Sequence, residues 1–578
     1  MKTKGSLLSV KYYLANHLLS ILCYREWQVF NKSAALTEKS QKKILLKILK
    51  MNEKTDFGRK HGFSAINNVA SFRANVPLST YNDYSSEIEM LSCGQKNVLT
   101  RDKVLLFEPS SGSASATKLI PYTKTLKRQF QKAILPWLYD ILTKNIGVAK
   151  GSAYWSITPI GKISRERKNE STPVGFDKDA EYFGPILKRV LNLVIAVPAD
   201  VGMIEDVDVF RYATLFYLLK EKKLAFISVW DPTFLSFLFE PLPRFAPSII
   251  GDIDHGTLTL PSELPDELKS RLTKKISADK GRAAELRKIF DLYNRSLIIK
   301  NRLYKSIWPG LSLISCWGDG KAANNLFILE EMFTGVKIQP KGLLATEGIV
   351  SFPLTGKTGG ILAVNSHFFE FLVVDGLRDC GRYQDIRLAH QLEEGKLYYV
   401  IITTGGGLYR YQLNDIIKVV GFENGCPMIR FISKGDKVSD LFGEKLNEHH
   451  VAEVLKSAFE AYSIKPDFFM VAPEEKTDSK YCYSLFLQGK KYNTENIAVC
   501  GPLIRKIEEG LKKNFHYEYC RKIGQLSQLN IFLIDPNSSP EQSYIMVQSM
   551  NGKKIGNIKS AVLDPMVGWS RHFQGTFI

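Results

Sequence analysis

Short apolar runs alternate with amphipathic helical stretches through most of the chain, and this alternation limits the folds available to it. The helical stretches include residues 205–222 and 265–304. The apolar runs have the length and composition of buried strands and lie at 153–158, 193–197, 224–230, 311–316 and 397–404. Strands that are separated by helices are typical of layered α/β proteins. The sequence therefore predicts an α/β fold.

The length of the chain, 578 residues, exceeds what one hydrophobic core usually organises, so more than one domain is expected. The composition changes near residues 433–437, beyond which the apolar runs are shorter and lysine is more frequent. We place a domain boundary there. The prediction is a large N-terminal domain at residues 1–433 and a smaller C-terminal domain at residues 434–578, the second being of a common domain size.

The charge balance is strongly basic, since 78 lysine and arginine residues against 59 aspartate and glutamate residues give a formal net charge of +19. Such a balance favours anionic partners, namely nucleotides, carboxylates, coenzyme A, nucleic acid or acidic membranes. The basic residues are dispersed, so most of them are expected to be solvated surface lysines. No recognition motif for DNA or RNA is present, and no nucleic-acid partner is expected.

The cysteines and the N-terminal segment bear on cellular location. Eight cysteines are scattered without a C-x-x-C pair, which fits a reducing, cytoplasmic compartment. In the N-terminal segment, apolar residues recur at helical spacing and are interrupted by Lys11 and His17, so it is neither a secretory signal nor a transmembrane segment. We expect an amphipathic helix packed on the body of the protein. Peripheral contact of this helix with a membrane surface is the alternative.

A segment rich in small and hydroxylated residues ends in a lysine between two apolar runs. It extends from Ser110 to Lys118 and follows the apolar residues 104–107. Its backbone N–H groups and hydroxyls can surround a polyphosphate, and the lysine can neutralise phosphate charge. The common phosphate motifs, G-x-x-x-x-G-K-[ST] and G-x-G-x-x-G, are absent from the sequence. An ordinary surface turn with a chance lysine is the alternative interpretation.

Two carboxylates follow apolar segments further along the chain. Glu347 lies in the segment 342–348, Gly-Leu-Leu-Ala-Thr-Glu-Gly. Loops at strand ends are where α/β proteins bind ligands, and a carboxylate there can hold Mg²⁺ beside phosphates. Asp415 follows a strand, a glycine turn and a Tyr/Arg alternation, and it can accept two hydrogen bonds from a ribose diol. The alternatives are a surface turn for Glu347 and a hairpin position for Asp415.

Lys434 and Gly435 lie in a polar turn between a strand pattern and the start of a helix. A glycine directly behind a lysine at this place fits a hinge. The turn also coincides with the predicted domain boundary, so a hinge here would let the smaller domain move. An ordinary charged turn is the alternative interpretation.

The order of these segments resembles that of the adenylate-forming superfamily and, more closely, of the auxin-responsive promoter family of acyl acid–amido synthetases in its bacterial branch. The matching segments are 110–113 with 118–123, 226–235, 315–317, 341–348, 366–371, 407–411 and 438–445. The resemblance implies a large N-terminal adenylation domain of mixed β-sheets and helices and a small, mobile α+β C-terminal domain. It implies a ligase that uses ATP to adenylate a carboxylic acid and then transfers the acyl group to an amine, with an amino acid expected.

The resemblance also implies roles for the residues that match the family's motifs. The implied phosphate loop consists of Ser110, Ser111, Gly112, Ser113, Thr117 and Lys118. The implied contacts of the adenylate are Ala345, Thr346, Glu347, Tyr411 and Asp415. Among them, Glu347 would hold Mg²⁺ and Asp415 would bind the ribose hydroxyls. The implied catalytic lysines are Lys118, Lys434 and Lys559.

Several positions depart from the family's pattern. Ala114 and Ala116 stand where relatives have more glycine, which would stiffen the loop. Asn414 replaces the glycine before the ribose-binding aspartate, and asparagine tolerates the left-handed backbone conformation. Lys434 replaces an arginine and so loses bidentate geometry. These departures leave a slow or inactive enzyme as an alternative.

Three further points stay open at the level of sequence. The C-terminal lysine that matches the family is Lys559, but Lys553 and Lys554 compete for its role. The tryptophans and phenylalanine at 230, 234 and 317 fit an acyl pocket and fit core positions equally well. The acceptor is an amine by the resemblance, whereas the basic charge also suits coenzyme A or an acidic carrier, which would give a thioester.

A hypothesis of another class is a non-catalytic basic protein that binds nucleic acid or a membrane and keeps a decayed nucleotide site.

Overall fold

Helices and strands alternate as the sequence predicts. The structure, a computed structural model, describes residues 2–110, 118–155, 185–374, 385–435, 438–439, 441–442, 444, 446–476, 481–489, 500–522, 524–551 and 558–578. The α-helices of this part are α1 Lys2–Ala35, α2 Thr37–Asn52, α3 Asp56–Lys60, α4 Val69–Asn75, α5 Ser85–Ser92, α6 Lys124–Lys144, α7 Ile146–Ala149, α8 Pro185–Leu191, α9 Val207–Lys220, α10 Pro232–Phe239, α11 Leu242–His255, α12 Asp266–Thr273, α13 Lys280–Asn294, α14 Lys300–Ile307, α15 Leu326–Met332, α16 Glu448–Ala461, α17 Cys500–Leu511, α18 Phe515–Lys522 and α19 Pro540–Met550. Its strands are β1 Val104–Ser110, β2 Lys118–Thr123, β3 Ser152–Trp155, β4 Leu224–Ser228, β5 Leu313–Cys316, β6 Lys337–Pro340, β7 Ser351–Pro353, β8 Gly360–Leu362, β9 Phe368–Val373, β10 Ile386–Leu388, β11 Leu397–Thr403, β12 Tyr411–Glu423, β13 Cys426–Lys434, β14 Val438–Ser439, β15 Leu446–Asn447, β16 Phe468–Glu475, β17 Tyr481–Gln488, β18 Leu526–Ile534 and β19 Gly575–Phe577.

Strands β3 to β6 form a parallel sheet in sequential order. Every residue of β4 and β5 is buried, as expected for strands that helices cover on both faces. Because helices between the strands return the chain to the same end, the carboxyl ends of the four strands meet at one edge. That edge bears the segments 229–231, 317–319 and 341–348, which contain most of the candidate site.

The apolar runs at 224–230, 311–316 and 397–404 are confirmed as β4, β5 and β11. The run at 153–158 begins with β3, which ends at Trp155, and the residues after it lie outside the described part. The strand expected at 193–197 is wrong: Ile195 forms only an isolated bridge with Ala153. The segment leaves α8 in a turn and soon meets Pro198, whose nitrogen has no hydrogen to donate to a strand partner.

A seven-stranded antiparallel sheet follows in the chain, with the order β10-β9-β11-β12-β13-β8-β7. Its central strand, β12, pairs with β11 on one side and β13 on the other. Residues of this sheet and of the parallel sheet belong to one buried cluster, which includes Phe226, Leu313 and Ile417. The common core fixes the two sheets relative to each other and so positions the site at their junction.

Helix α1 packs along α6 and is anchored by polar contacts as well as by apolar burial. The Tyr12 hydroxyl donates to Glu221 Oε2 at 2.5 Å. The Asn16 amide donates to the carbonyls of Ala149 at 3.1 Å and Gly151 at 2.9 Å. The expected packing of this helix on the body of the protein is confirmed, but its outer face is apolar as well, so the helix is not amphipathic as expected. Among the helices of the described residues, we find none whose length and apolar character would allow it to cross a membrane.

A smaller C-terminal domain contains the four-stranded sheet β16-β17-β18-β19, in which only β17 and β18 run parallel among the pairs described. One face of the sheet packs with α16 and α17 around Val451, Leu485 and Ile531. Residues of the opposite face, such as Met470 and Phe532, join the buried cluster of the N-terminal helices. The exact position of the domain boundary, between residues 433 and 434, stays a prediction.

Candidate functional site

The segment after β6 forms a tight turn that neighbouring elements hold in place. The Ala345 N–H donates to the Gly348 carbonyl at 3.1 Å, and the Gly348 N–H donates to the Ala345 carbonyl at 3.2 Å. The Thr346 carbonyl accepts a hydrogen bond from the Tyr122 hydroxyl at 2.8 Å. A Cβ atom at position 348 would lie 2.6 Å from Ile402 Cδ1 and 2.9 Å from His367 Nε2, so a larger residue would force these side chains to move. The turn therefore presents Glu347 from a fixed backbone.

Glu347 is only 8% exposed, so its interpretation as a surface-turn residue is wrong. Burial raises the pKa of its carboxyl above the ordinary value, and the negative charge of Asp415 adds to this rise. The positive charges of Lys434 and Lys118 lower the same pKa. The Tyr411 hydroxyl donates to Glu347 Oε1 at 3.4 Å. A buried carboxylate that faces cationic groups is an oxygen donor suited to a hard divalent ion.

Asp415 and Lys434 lie opposite each other on β12 and β13. Lys434 Nζ is 2.8 Å from Asp415 Oδ1 and donates to the Leu413 carbonyl at 3.0 Å. The aspartate side chain is 2% exposed and the lysine side chain 30% exposed, so the pair is open to solvent from the lysine side. Asp415 is thus a strand residue, and its carboxylate has one oxygen held by Lys434.

The backbone beside this ion pair is constrained at two positions. Asn414 has a φ of 57°, in the left-handed region that asparagine tolerates better than most residues. Its carbonyl accepts a hydrogen bond from the Gly435 N–H at 2.7 Å. A Cβ atom on Gly435 would collide with the ring of Tyr399. The chain therefore leaves β13 in close contact with Tyr399, and only glycine fits at that step.

Lys118 is the first residue of β2 and pairs with Ser110, the last residue of β1. Its ammonium lies 5.9 Å from the centroid of the Tyr81 ring, and the Leu119 N–H donates to the Tyr81 hydroxyl at 2.9 Å. The hairpin faces the turn after β6, because the Tyr122 hydroxyl of β2 donates to the Thr346 carbonyl at 2.8 Å. The remaining predicted loop residues lie outside the described part: Ser111, Gly112, Ser113 and Thr117.

An aromatic and cationic cluster occupies the same edge of the parallel sheet. The rings of Trp230 and Trp317, which follow β4 and β5, lie 5.6 Å apart. Lys341 Nζ lies 5.2 Å from the Trp230 ring and 5.1 Å from the Trp137 ring, and it donates to Ser228 Oγ at 2.6 Å. Sequence reasoning missed Lys341 as a site residue, although a lysine directly after a parallel strand was the available signal. The cluster can attract an anion that carries an apolar or aromatic group.

Lys559 comes from the C-terminal domain and reaches this cluster. Its Nζ lies 4.2 Å from the centroid of the Trp317 ring. Next to it, Ser560 Oγ accepts a hydrogen bond from the Asn325 amide at 3.3 Å. The competing Lys553 and Lys554 lie outside the described residues. Phe234, in contrast to the two tryptophans, is 1% exposed within the core, so the core interpretation holds for it.

The structure thus gathers Lys118, Glu347, Asp415 and Lys434, with the Ala345–Thr346 backbone and Tyr411 beside them. Two charges of each sign converge at the junction of the two sheets. Lys559 lies against Trp317 in the neighbouring aromatic cluster. The arrangement can bind a polyanion with a metal ion at one end and an apolar anion at the other.

Two family models match parts of this chain. The model of the GH3 family N-terminal domain matches residues 27–338, and the model of the GH3 family central domain matches residues 360–434. The indole-3-acetic acid-amido synthetase GH3.2 of Arabidopsis thaliana is 25% identical over 440 residues, covering 72% of this chain and 78% of that protein. The indole-3-acetic acid-amido synthetase GH3.8 of Oryza sativa subsp. indica is 23% identical over 451 residues, covering 72% of this chain and 70% of that protein.

A solved structure shares the fold. The GH3.15 acyl acid amido synthetase matches with a TM-score of 0.75 at 17% identity, covering 92% of each chain. This match confirms the predicted α/β fold with a large N-terminal and a smaller C-terminal domain. The N-terminal family model alone spans more than half of the chain, and the curated relatives bear the name that the motif resemblance implies. The resemblance is therefore confirmed, and the chain belongs to the GH3 family.

Proposed function

We propose that this chain is an ATP-dependent acyl acid–amido synthetase, which adenylates a carboxylic acid and transfers the acyl group to the amine of an amino acid. The observation that carries the proposal is the placement of Glu347 against Lys118, Lys434 and Asp415, beside an aromatic cluster. The names of the relatives support the same reaction, since each is an amido synthetase of a carboxylic acid.

In the first half-reaction, an oxygen of the substrate carboxylate attacks the α-phosphorus of ATP. A bond forms between that oxygen and phosphorus, the bond to the bridging oxygen breaks, and pyrophosphate leaves. Lys118 is proposed to neutralise the charge of the phosphates. Asp415 is proposed to accept the ribose hydroxyls through the lone pairs that Lys434 leaves free. Positioning and charge stabilisation account for most of such catalysis.

The residues present fit a magnesium ion. Glu347 offers oxygen atoms, the donor type that Mg²⁺ prefers, and one or two carboxylates with substrate phosphates usually complete such a site. When bound, the ion supplies positive charge to the phosphates and the leaving pyrophosphate. Burial of Glu347 strengthens this attraction because water screens it less.

In the second half-reaction, the nitrogen of the amine attacks the acyl carbon, the bond to the phosphate oxygen breaks, and AMP leaves. The surplus proton on nitrogen passes to solvent. Trp230 and Trp317 are proposed to hold the acyl group, with Lys559 placed beside Trp317. Coenzyme A as acceptor is the second candidate, and it rests on the net charge of +19.

Pyrophosphate release tests the first half-reaction. The protein is incubated with ATP, Mg²⁺ and a panel of carboxylic acids, and we expect release that depends on one class of acid. Asp415→Ala is expected to lower kcat/KM for ATP by about 100-fold, because the ribose loses its acceptor. Asp291→Ala, which removes an exposed carboxylate from α13, is the matched control and should retain the rate.

The contrary outcome is also specific. Binding of nucleic acid or vesicles without any acid-dependent release of pyrophosphate would favour the binding-protein hypothesis and contradict the synthetase.

Mass spectrometry of an active mixture identifies the acceptor. A mass gain that corresponds to an amide with an added amino acid supports the proposal, whereas a thioester formed only with coenzyme A contradicts it.

Lys434→Arg is expected to raise kcat/KM for ATP by about 3- to 10-fold. An arginine at this position presents a planar fork that binds a carboxylate or phosphate through two parallel hydrogen bonds, which an ammonium cannot do. Steady-state kinetics with varied ATP measure the effect. Lys418→Arg changes an exposed lysine of the same hairpin and controls for charge-neutral substitution. An unchanged or lower kcat/KM in Lys434→Arg would contradict the expectation that a bidentate group at this position improves the use of ATP.

A further inference from the structure

Helix α1 has two apolar faces, and the protein covers only one of them. Tyr12, Leu19 and Phe30 lie on the covered face. On the opposite face, apolar residues recur at helical spacing and are largely exposed: Val10 54%, Leu14 60%, Leu18 45% and Ile21 57%. Further exposed apolar residues of the helix are Tyr13, Leu22, Tyr24 and Val29. A contiguous apolar face of this kind in contact with water marks an interaction surface.

The charged residues that the structure describes around this face are predominantly basic. Lys11, Arg25 and Lys32 are exposed on α1, whereas Glu26, the one acidic residue of the helix, is half-buried. Helices α7 and α8 contact α1, and the segments 144–151 and 185–193 that contain them hold four basic residues and no acidic residue. The surroundings of the apolar face therefore favour an anionic partner.

The two short helices extend the apolar character as well. Ile146 and Ile186 are each 66% exposed on α7 and α8. The hydrogen bonds of Tyr12 and Asn16 fix α1 on the body, so its outer face is presented without any unfolding. Basic residues interrupt the apolar character of α1, and among the described helices none could cross a membrane.

We propose that the exposed face of α1 docks on an anionic lipid bilayer, with the helix axis in the plane of the headgroups. The aliphatic side chains would enter the boundary between headgroups and acyl chains, and Lys11, Arg25 and Lys32 would meet lipid phosphates and carboxylates. A second copy of this chain fits the face less well, because symmetric pairing brings the same basic residues of two copies together. The surface is independent of the nucleotide site.

Vesicle co-sedimentation tests the proposal. The full chain is mixed with phosphatidylcholine vesicles, either pure or with about 30% phosphatidylserine. We expect binding to the anionic vesicles, weaker binding at raised ionic strength, and little binding to the neutral ones. The triple variant Leu14→Gln, Leu18→Gln and Ile21→Gln is expected to bind at least about tenfold more weakly, since it loses the inserted apolar area.

A matched control replaces three exposed apolar side chains that lie outside α1. Leu297→Gln, Ile299→Gln and Met550→Gln replace side chains of residues that are 70%, 57% and 81% exposed, and this triple should bind vesicles like the unaltered protein. If the α1 triple unfolds at a lower temperature, Lys11→Gln with Arg25→Gln and Lys32→Gln replaces it, again with an expected loss. Absence of binding to anionic vesicles, or equal binding by both triples, overturns the proposal. A concentration-dependent dimer that the α1 triple abolishes, without vesicle binding, assigns the face to a second copy and overturns it too.

Discussion

Replacing Glu347 with glutamine is expected to lower acid-dependent pyrophosphate release by at least about 1,000-fold. The amide has nearly the same shape as the carboxyl group but carries no charge for a metal ion, so the phosphates lose their counter-charge at the moment of transfer. The measurement is pyrophosphate release under saturating ATP and acid across a range of Mg²⁺ concentrations. Partial recovery at high Mg²⁺ would locate the defect in metal binding.

The unfolding temperature of Glu347→Gln distinguishes a loss of metal binding from misfolding. The direction in which this temperature should change follows from the raised pKa of Glu347. A carboxyl whose pKa is higher in the folded than in the unfolded state destabilises the fold progressively as pH rises from its unfolded pKa, about 4.3, to its folded pKa. Near neutral pH the ionised group therefore disfavours folding, and the glutamine variant should unfold at an equal or higher temperature. Glu394→Gln, an exposed counterpart, is the control and should retain both activity and stability. A variant with lost activity and a clearly lower unfolding temperature would show that Glu347 has a structural role instead.

Glu370→Gln is expected to destabilise the protein by about 3–5 kcal/mol, because it leaves a buried guanidinium without its counter-charge. Glu370, with a side chain 1% exposed, accepts hydrogen bonds from Arg410 at 2.9 and 3.2 Å and from Arg73 at 2.7 Å. The Arg410 side chain is 6% exposed, and its other end donates to the Val76 carbonyl at 2.8 Å. Arg410 directly precedes Tyr411 on β12, so the network also holds the strand that bears Asp415.

Denaturant unfolding followed by fluorescence measures this change in free energy. Asp385→Asn breaks an ion pair with Arg387 on the same sheet, but both side chains are about half exposed, at 54% and 40%. We expect that control to change stability by less than about 1 kcal/mol. Equal effects of the two substitutions would mean that the buried network around Glu370 contributes no more than a surface pair.

The contact between Asp415 and Lys434 shows how much of the site geometry the sequence can predict. Asn424 and Gly425 have φ values of 50° and 77°, the conformation that an Asn-Gly pair favours in a two-residue hairpin turn. Glu423 pairs with Cys426 across that turn, and Asp415 and Lys434 are each eight residues further out along their strands. Two irregularities interrupt the ladder, between Ile416/Ile417 and between Val419/Gly421, and they cancel. The turn signal alone therefore gives the correct pair, although the cancellation itself has no signal in the sequence.

Other features depend on tertiary contacts that no local pattern contains. The stretch 265–304 has one helical pattern but forms three helices, with a break at Ser296, whose φ is 58°. The proximity of Lys341 to Trp137 and Trp230 joins three separate segments. The covered and uncovered faces of α1 are both apolar, so spacing could not tell which one the protein buries. Glu347 and Asp415 were found through the order of the motifs around them, because a turn or a hairpin position also explains each of them in isolation.

Lys434 contacts Asp415 and also directly precedes the connector that begins at Gly435. It holds one oxygen of Asp415, and it is the last residue before Gly435, where the chain leaves β13 against Tyr399. A ligand that takes hydrogen bonds from Asp415 would weaken its ion pair with Lys434. A shift of the chain at Gly435, the connector after β13, would move Lys434 and so change the oxygen atoms of Asp415 that a ligand can reach. Such coupling is reciprocal by thermodynamic necessity: whatever factor a domain arrangement imposes on nucleotide affinity, bound nucleotide imposes on that arrangement. Under the proposed role of Asp415, one ion pair on a hairpin would link occupancy of the nucleotide site to the path of the connector.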